Sequence, residues 1–184
     1  MTAPQYGLVA YVKNELGRFV EELRRELHPE LGHLPAHLSI LPPRLLQGSE
    51  EEALTTLERL CDGVAPFQVT LDGVDSFRPI TPTVFLRVET AAPMHQLHDR
   101  LNTAALAANE QWSYTPHLTI VKLADEGRLL AAQELARKRW EAYRGPRRTR
   151  VEELTFVREG ESASQWTDLA SVRLGRALAS QSRG

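Results

Sequence analysis

Apolar positions along the chain fall into two alternating rhythms, one of period two and one of helical spacing. Tyr6 to Val12 is apolar and β-prone and predicts a strand. Asn14 can cap a helix in which Leu16, Phe19, Val20, Leu23 and Leu27 recur at helical intervals, ended by His28-Pro29. A short strand over His37–Leu41 is expected to stop at Pro42-Pro43. Ser49 and Glu52 form a capping-box pair that opens a helix over about Glu50–Cys61. Phe67 to Phe77 alternates as a strand, with an irregularity predicted at Asp72-Gly73. After the turn Arg78-Pro79-Ile80-Thr81-Pro82 the order begins again. A strand over Thr83–Glu89 leads to a helix over Pro93–Ala108, marked by Met94, Leu97, Leu101 and Leu106. A strand over His117–Leu123 leads to a helix from Glu126 to about Tyr143, and strands over Arg148–Arg158 and about Trp166–Leu174 close the pattern before a frayed tail.

The second half repeats the first. His37 and His117 lie 80 residues apart, Phe77 and Phe156 lie 79 apart, and Val9 and Phe85, in the opening strands, lie 76 apart. Two copies of a strand–helix–strand–helix–strand unit imply an internal duplication with a pseudo-two-fold axis that brings equivalent positions together. The expected organisation is one α+β domain over residues 1–184, with repeats of about 1–80 and 81–174 and a tail at 175–184.

Composition narrows the setting. With 184 residues, 42% of them hydrophobic, the chain can bury one substantial core. A net charge of −2 excludes a basic nucleic-acid packaging protein, although 19 of the 22 basic residues are Arg. A single cysteine, Cys61, permits neither an intrachain disulfide nor a cysteine zinc site, and it falls in the apolar run Leu57, Leu60, Val64. No apolar stretch approaches the roughly 20 residues that span a bilayer, and Met-Thr-Ala-Pro-Gln-Tyr has none of the regions of a signal peptide. A cytoplasmic location follows as the expectation.

The chemistry concentrates in His37-Leu38-Ser39-Ile40 and His117-Leu118-Thr119-Ile120. On a strand, His37 and Ser39 share one face and Leu38 and Ile40 the other, and the second tetrapeptide alternates in the same way. Buried polar pairs cost free energy unless satisfied, so packing alone does not account for two matched imidazole–hydroxyl pairs. Imidazole titrates near pH 6.5, so one histidine can act as a neutral base while its partner acts as a charged acid. Placed on opposite sides of a phosphodiester, the two support in-line displacement, and the hydroxyls of Ser39 and Thr119 can donate to non-bridging oxygens. A zinc site needs a third ligand, and neither strand carries an acidic residue beside its histidine, so no metal is expected.

With these residues the chain resembles the 2H phosphoesterase superfamily, in its LigT-like branch of 2′-5′ RNA ligase-like proteins. Tyr114-Thr115-Pro116-His117-Leu118-Thr119-Ile120-Val121-Lys122 matches that family's second motif, and Leu34-Pro35-Ala36-His37-Leu38-Ser39-Ile40-Leu41-Pro42-Pro43 its first. The resemblance implies a bilobal fold, with two antiparallel sheets flanking a central cleft and helices outside. It implies catalytic roles for His37 and His117 and substrate contacts from Ser39 and Thr119. It further implies opening of 2′,3′-cyclic phosphates on RNA or nucleotides, cleavage of 2′-5′ linkages or weak RNA ligation, with no metal or ATP. Ser39 departs from the threonine more common in the first motif and lacks the methyl group that limits the rotamers. A different class of function for the same fold is an RNA-binding module with little turnover. A monomer is expected.

Secondary candidates each have a plainer reading. Lys122 could contact phosphate but lies an odd number of residues from His117, on the opposite face of an ideal strand. The run Arg144-Gly145-Pro146-Arg147-Arg148-Thr149-Arg150 could follow an RNA backbone or complement a helix C-terminus. Arg78 and Arg158 could rim a cleft. Tyr11, Phe77, Phe156 and Trp166 could stack on a base or fill the core. His28, His33, His95 and His98 lack the His-x-Ser/Thr context, and His95 and His98, which share a helix face at i, i+3 without a third ligand, read as surface residues. No glycine-rich phosphate loop is present.

Overall fold

A computed structural model describes residues 3–161 and 165–175. Its first repeat contains β1 (Tyr6–Tyr11), α1 (Glu15–Leu27), β2 (His37–Arg44), α2 (Glu50–Cys61) and β3 (Phe67–Ser76). The second contains β4 (Thr83–Val88), α3 (Ala92–Leu101), β5 (His117–Lys122), α4 (Glu126–Ala142), β6 (Arg148–Val151), β7 (Glu153–Glu159) and β8 (Trp166–Arg173). Local chemistry sets the helix starts. The Asn14 side chain accepts from Gly17 N–H, Ser49 and Glu52 complete the capping box, and Asp125 accepts from Arg128 N–H.

The strands pair antiparallel in the order β6-β3-β4-β5-β2-β1-β7-β8. The α+β class is as expected, and the two antiparallel sheets are four-stranded halves joined edge to edge. Their joint is the pairing of Leu38 with Leu118, residues at equivalent positions of the two repeats. Each half draws on both repeats. β3 crosses over to pair with β4, β7 pairs back with β1, α1 packs on β5 and α3 on β2. The aliphatic face carries the core: Leu38, Ile40, Leu118 and Ile120 are fully buried with Leu16 and Val20 of α1, Leu57 of α2 and Met94 of α3.

Three elements and one residue depart from expectation. β2 runs on through Pro42 and Pro43 to Arg44, because the edge toward β5 is unpaired beyond Leu38 and the edge toward β1 is irregular there, both prolines lying against Gly7 in a register shift. α3 ends at Leu101, where Asn102 turns the chain by accepting from Ala108 N–H at 2.9 Å and donating to Ala108 C=O at 3.2 Å. The expected strand over Arg148–Arg158 breaks at Glu152, where the chain changes partner from β3 to β1. His98 is buried at 5% exposure, not a surface residue. The irregularity at Asp72-Gly73 is present as a register shift, and Trp140 of α4 donates to the Asp72 carbonyl there. The tail expected to fray lies, beyond Gly175, outside the described residues. Among the described residues no helix is long and apolar enough to cross a membrane.

Candidate active site

His37, Ser39, His117 and Thr119 lie on the face opposite the helices, half-buried, while the leucines and isoleucines between them are sealed in the core. Antiparallel register about the Leu38–Leu118 pair sets each histidine opposite the other repeat's hydroxyl, His37 with Thr119 and Ser39 with His117. The next strands repeat the symmetry: Tyr11 and Val9 lie opposite His37 and Ser39, Arg87 and Phe85 opposite His117 and Thr119. The four residues singled out in the sequence therefore converge on one seam.

Both rings are oriented alike. His37 Nδ1 donates to the Pro35 carbonyl at 2.9 Å and His117 Nδ1 to the Thr115 carbonyl at 2.7 Å. A carbonyl only accepts, so the proton sits on Nδ1 and each Nε2 is left to exchange one. Phe77 stands edge-on to His117 at 4.8 Å and Tyr11 edge-on to His37 at 6.4 Å. Burial lowers the pKa of both histidines, against the opposing pull of the carbonyls; Arg24 and Lys122 lower His37 further, and Lys122 and His37 lower His117 further. Among the described residues no group of three or more His, Cys, Asp or Glu is arranged to hold a metal ion.

Lys122 reaches this face because β5 is not ideal. The register with β4 shifts between Val84 and Phe85, which leaves Ile120 as an extra residue. Past this bulge Val121 lies opposite the core residue Val84, and Lys122 lies opposite Thr83, on the histidine side. β2 carries the equivalent bulge at Ile40, after which the position matching Lys122 is Pro42. The site is thus two-fold in its histidines and one-sided in its cation.

Two side chains assigned no role from sequence, buried Arg24 and half-buried Tyr114, tie the motif strands from behind. Arg24 of α1, 5% exposed, donates to the carbonyls of Thr119 at 2.6 Å, Ile120 at 2.9 Å, and Leu34. Its signal was an arginine inside the apolar stripe, between Val20 and Leu27. Tyr114 donates to the Ser39 carbonyl at 2.8 Å and stacks on His98, which contacts Glu110 at 3.0 Å; Glu110 also receives Arg44.

The other candidates divide. Phe156 is core, stacked on Tyr6, whereas Tyr11, Phe77 and Trp166 lie on the histidine face of the sheet, where the cleft is expected. Arg147 caps α4 by donating to the Trp140 carbonyl and lies over the Trp140 ring, Arg144 donates to the Glu141 carbonyl, and Arg150 pairs with Glu152. Arg78 pairs with Glu126 and Arg158 with Glu50, each holding the first residue of a helix. His95 stands edge-on to Tyr114.

The order of elements and the antiparallel α+β sheet define a fold class, and comparison with known proteins gives the family. The model of the 2′-5′ RNA ligase superfamily matches residues 12–163, and the chain belongs to that family. A Halalkalibacterium halodurans protein named "Putative phosphoesterase" is 27% identical over 116 residues, 62% of this chain and 68% of the relative. An Oceanobacillus iheyensis protein of the same description is 24% identical over 121 residues, 64% of this chain and 70% of the relative. Escherichia coli LigT, solved with phosphate, superposes with a TM-score of 0.60 at 19% identity, covering 94% of this chain and 99% of LigT. Its complex with 3′-AMP superposes at 0.61 and 18% identity, with the same coverage.

Proposed function

We propose that this chain is a metal-independent phosphoesterase that opens 2′,3′-cyclic phosphates of RNA or nucleotides, cleaves 2′-5′ linkages, or both. The observation that carries the reading is the seam: two imidazoles with outward Nε2 atoms, each opposite a hydroxyl from the other repeat. In hydrolysis one Nε2 takes a proton from the water whose oxygen bonds to phosphorus. The other, protonated, gives its proton to the ribose oxygen as that P–O bond breaks. The reverse direction exchanges the two roles, so ligation uses the same residues. Lowered pKa values favour neutral rings beside Lys122, and an anionic phosphate between the rings favours return of the proton to one of them. Ser39, Thr119 and Lys122 donate to the non-bridging oxygens where charge accumulates. E. coli LigT, which shares the fold, was solved with phosphate and with 3′-AMP, which supports a substrate of that chemical class.

The test is turnover of a 2′,3′-cyclic mononucleotide in EDTA. His37→Ala and His117→Ala are each expected to lower kcat by about 10²- to 10⁴-fold. Full activity in either variant, or a requirement for a divalent metal, would overturn the mechanism. Tight, salt-sensitive RNA binding with no cyclic phosphate consumed would favour an RNA-binding module instead.

A further inference from the structure

Resting on that reading, we infer that the groove wall formed by Trp166, Gly7 and Asp168 is a nucleobase subsite that favours guanine. Gly7, Val9 and Tyr11 of β1 face the groove, and Val157 and Asp168 lie beside them across β7 and β8. A Cβ at Gly7 would stand 3.9 Å from Trp166 Cζ3 and 3.5 Å from Val157 Cγ2, so the half-buried indole reaches back over the β1 main chain. β8 lies three strands from β2, about 14 Å at about 4.8 Å per strand. The inward lean of the ring shortens that to the reach of one nucleoside from a phosphate at the histidines.

Asp168 supplies the selectivity. It shares the groove face with Trp166, two residues along β8, and its Oδ1 accepts from Tyr11 Oη at 2.6 Å. Of the other acids on this side, Asp75 is matched by Arg87 at 3.6 Å and Glu153 by Lys13 at 3.9 Å and Arg173 at 3.7 Å, while Glu159, across from Trp166 at the strand end, accepts from the Gln5 backbone N–H. Among the described residues no cation pairs with Asp168. A carboxylate only accepts, and beside an anionic substrate it repels phosphate, so the part of a nucleotide it suits is a base edge rich in N–H donors. Guanine offers two adjacent donors on its Watson–Crick edge, adenine and cytosine an amino group, uracil a single N–H. The opposite wall has Phe77 stacked on Phe85 at 4.1 Å, with its acid Asp75 taken up by Arg87, and so carries no such preference.

Turnover of the four 2′,3′-cyclic mononucleotides tests the assignment. Expected is the highest kcat/KM for the guanosine substrate and the lowest for uridine. Asp168→Asn is expected to lower the guanosine value about tenfold, the size of one bidentate base contact, and the uridine value by clearly less, since uracil loses a single contact. Trp166→Ala should raise KM for all four. Equal values across the bases in the wild type, or a uniform loss in Asp168→Asn, would overturn the subsite. Should no cyclic nucleotide be consumed, the phosphoesterase reading fails, and calorimetry with 3′-GMP and 3′-UMP decides the subsite separately. Tighter 3′-GMP binding that Asp168→Asn abolishes supports it, and equal Kd values overturn it.

Discussion

At the scale of single residues, the histidines were legible because a strand's alternation needs only the order His-Leu-Ser-Ile and His-Leu-Thr-Ile to place imidazole and hydroxyl together. Lys122 was not, because the same alternation misplaces every residue beyond a bulge, and the extra residue at Ile120 turns the lysine to the histidine side. Its removal therefore has two expected effects. Lys122→Ala should lower kcat/KM by about tenfold or more, through loss of a donor to developing negative charge. It should also shift the acid limb of the pH profile upward, since a cation that lowers both histidines is gone. A pH profile unchanged in position would place the lysine outside the field of the two rings. Thr119→Ala and Ser39→Ala should each weaken turnover, and Thr119→Ser is expected to lose less than Thr119→Ala because it keeps the donor. Steady-state kinetics on the cyclic mononucleotide reads all four variants.

At the scale of elements, the paired bulges at Ile40 and Ile120 expose strand carbonyls that need partners, and α1 supplies Arg24 to the second of them. Helix starts could be read locally, since Asn14 and Ser49 act on backbone within three residues. Helix α3 could not be ended from sequence: Ala104, Ala105 and Leu106 favour helix, and it is the long-range use of Asn102 by Arg44 and Ala108 that turns the chain. Arg24→Met keeps much of the apolar stem but leaves the carbonyls of Leu34, Thr119 and Ile120 unpartnered. An unsatisfied buried group costs about 1–3 kcal/mol, partly offset here by relief of a buried charge, so a net loss of about 2–4 kcal/mol is expected. Urea unfolding monitored by far-UV circular dichroism measures it. A loss within 0.5 kcal/mol, about the level of a surface substitution, would mean that water or a backbone shift satisfies those carbonyls.

At the scale of the molecule, the duplication was visible as a repeated order of elements, but not which half each strand joins, because the same list of strands and helices serves a separate or an exchanged arrangement. The exchange of β3, β7, α1 and α3 couples the two repeats, so residues 1–80 alone should show no dispersed NMR spectrum, having lost β4 beside β3 and β5 beneath α1. The same coupling makes protonation at the seam a property of the whole fold. Both histidines are held below the value of about 6.5 that they take when unfolded. Above that pH both states bind no proton at these sites and the histidines contribute nothing. As pH falls below about 6.5 the unfolded chain binds protons that the folded one refuses, so stability declines until the folded values are passed. Carboxylates titrate in the same region, so the reading is the difference between wild type and the His37→Gln, His117→Gln double variant. Between pH 7.5 and 5.5 the wild type should lose more Tm than the variant. Inorganic phosphate should restore the wild type and raise the variant clearly less, because an anion held by protonated imidazole binds only the folded chain and the variant keeps only Ser39, Thr119 and Lys122. Equal losses in the two proteins, with phosphate indifferent to both, would show that the seam neither resists protons nor receives an anion.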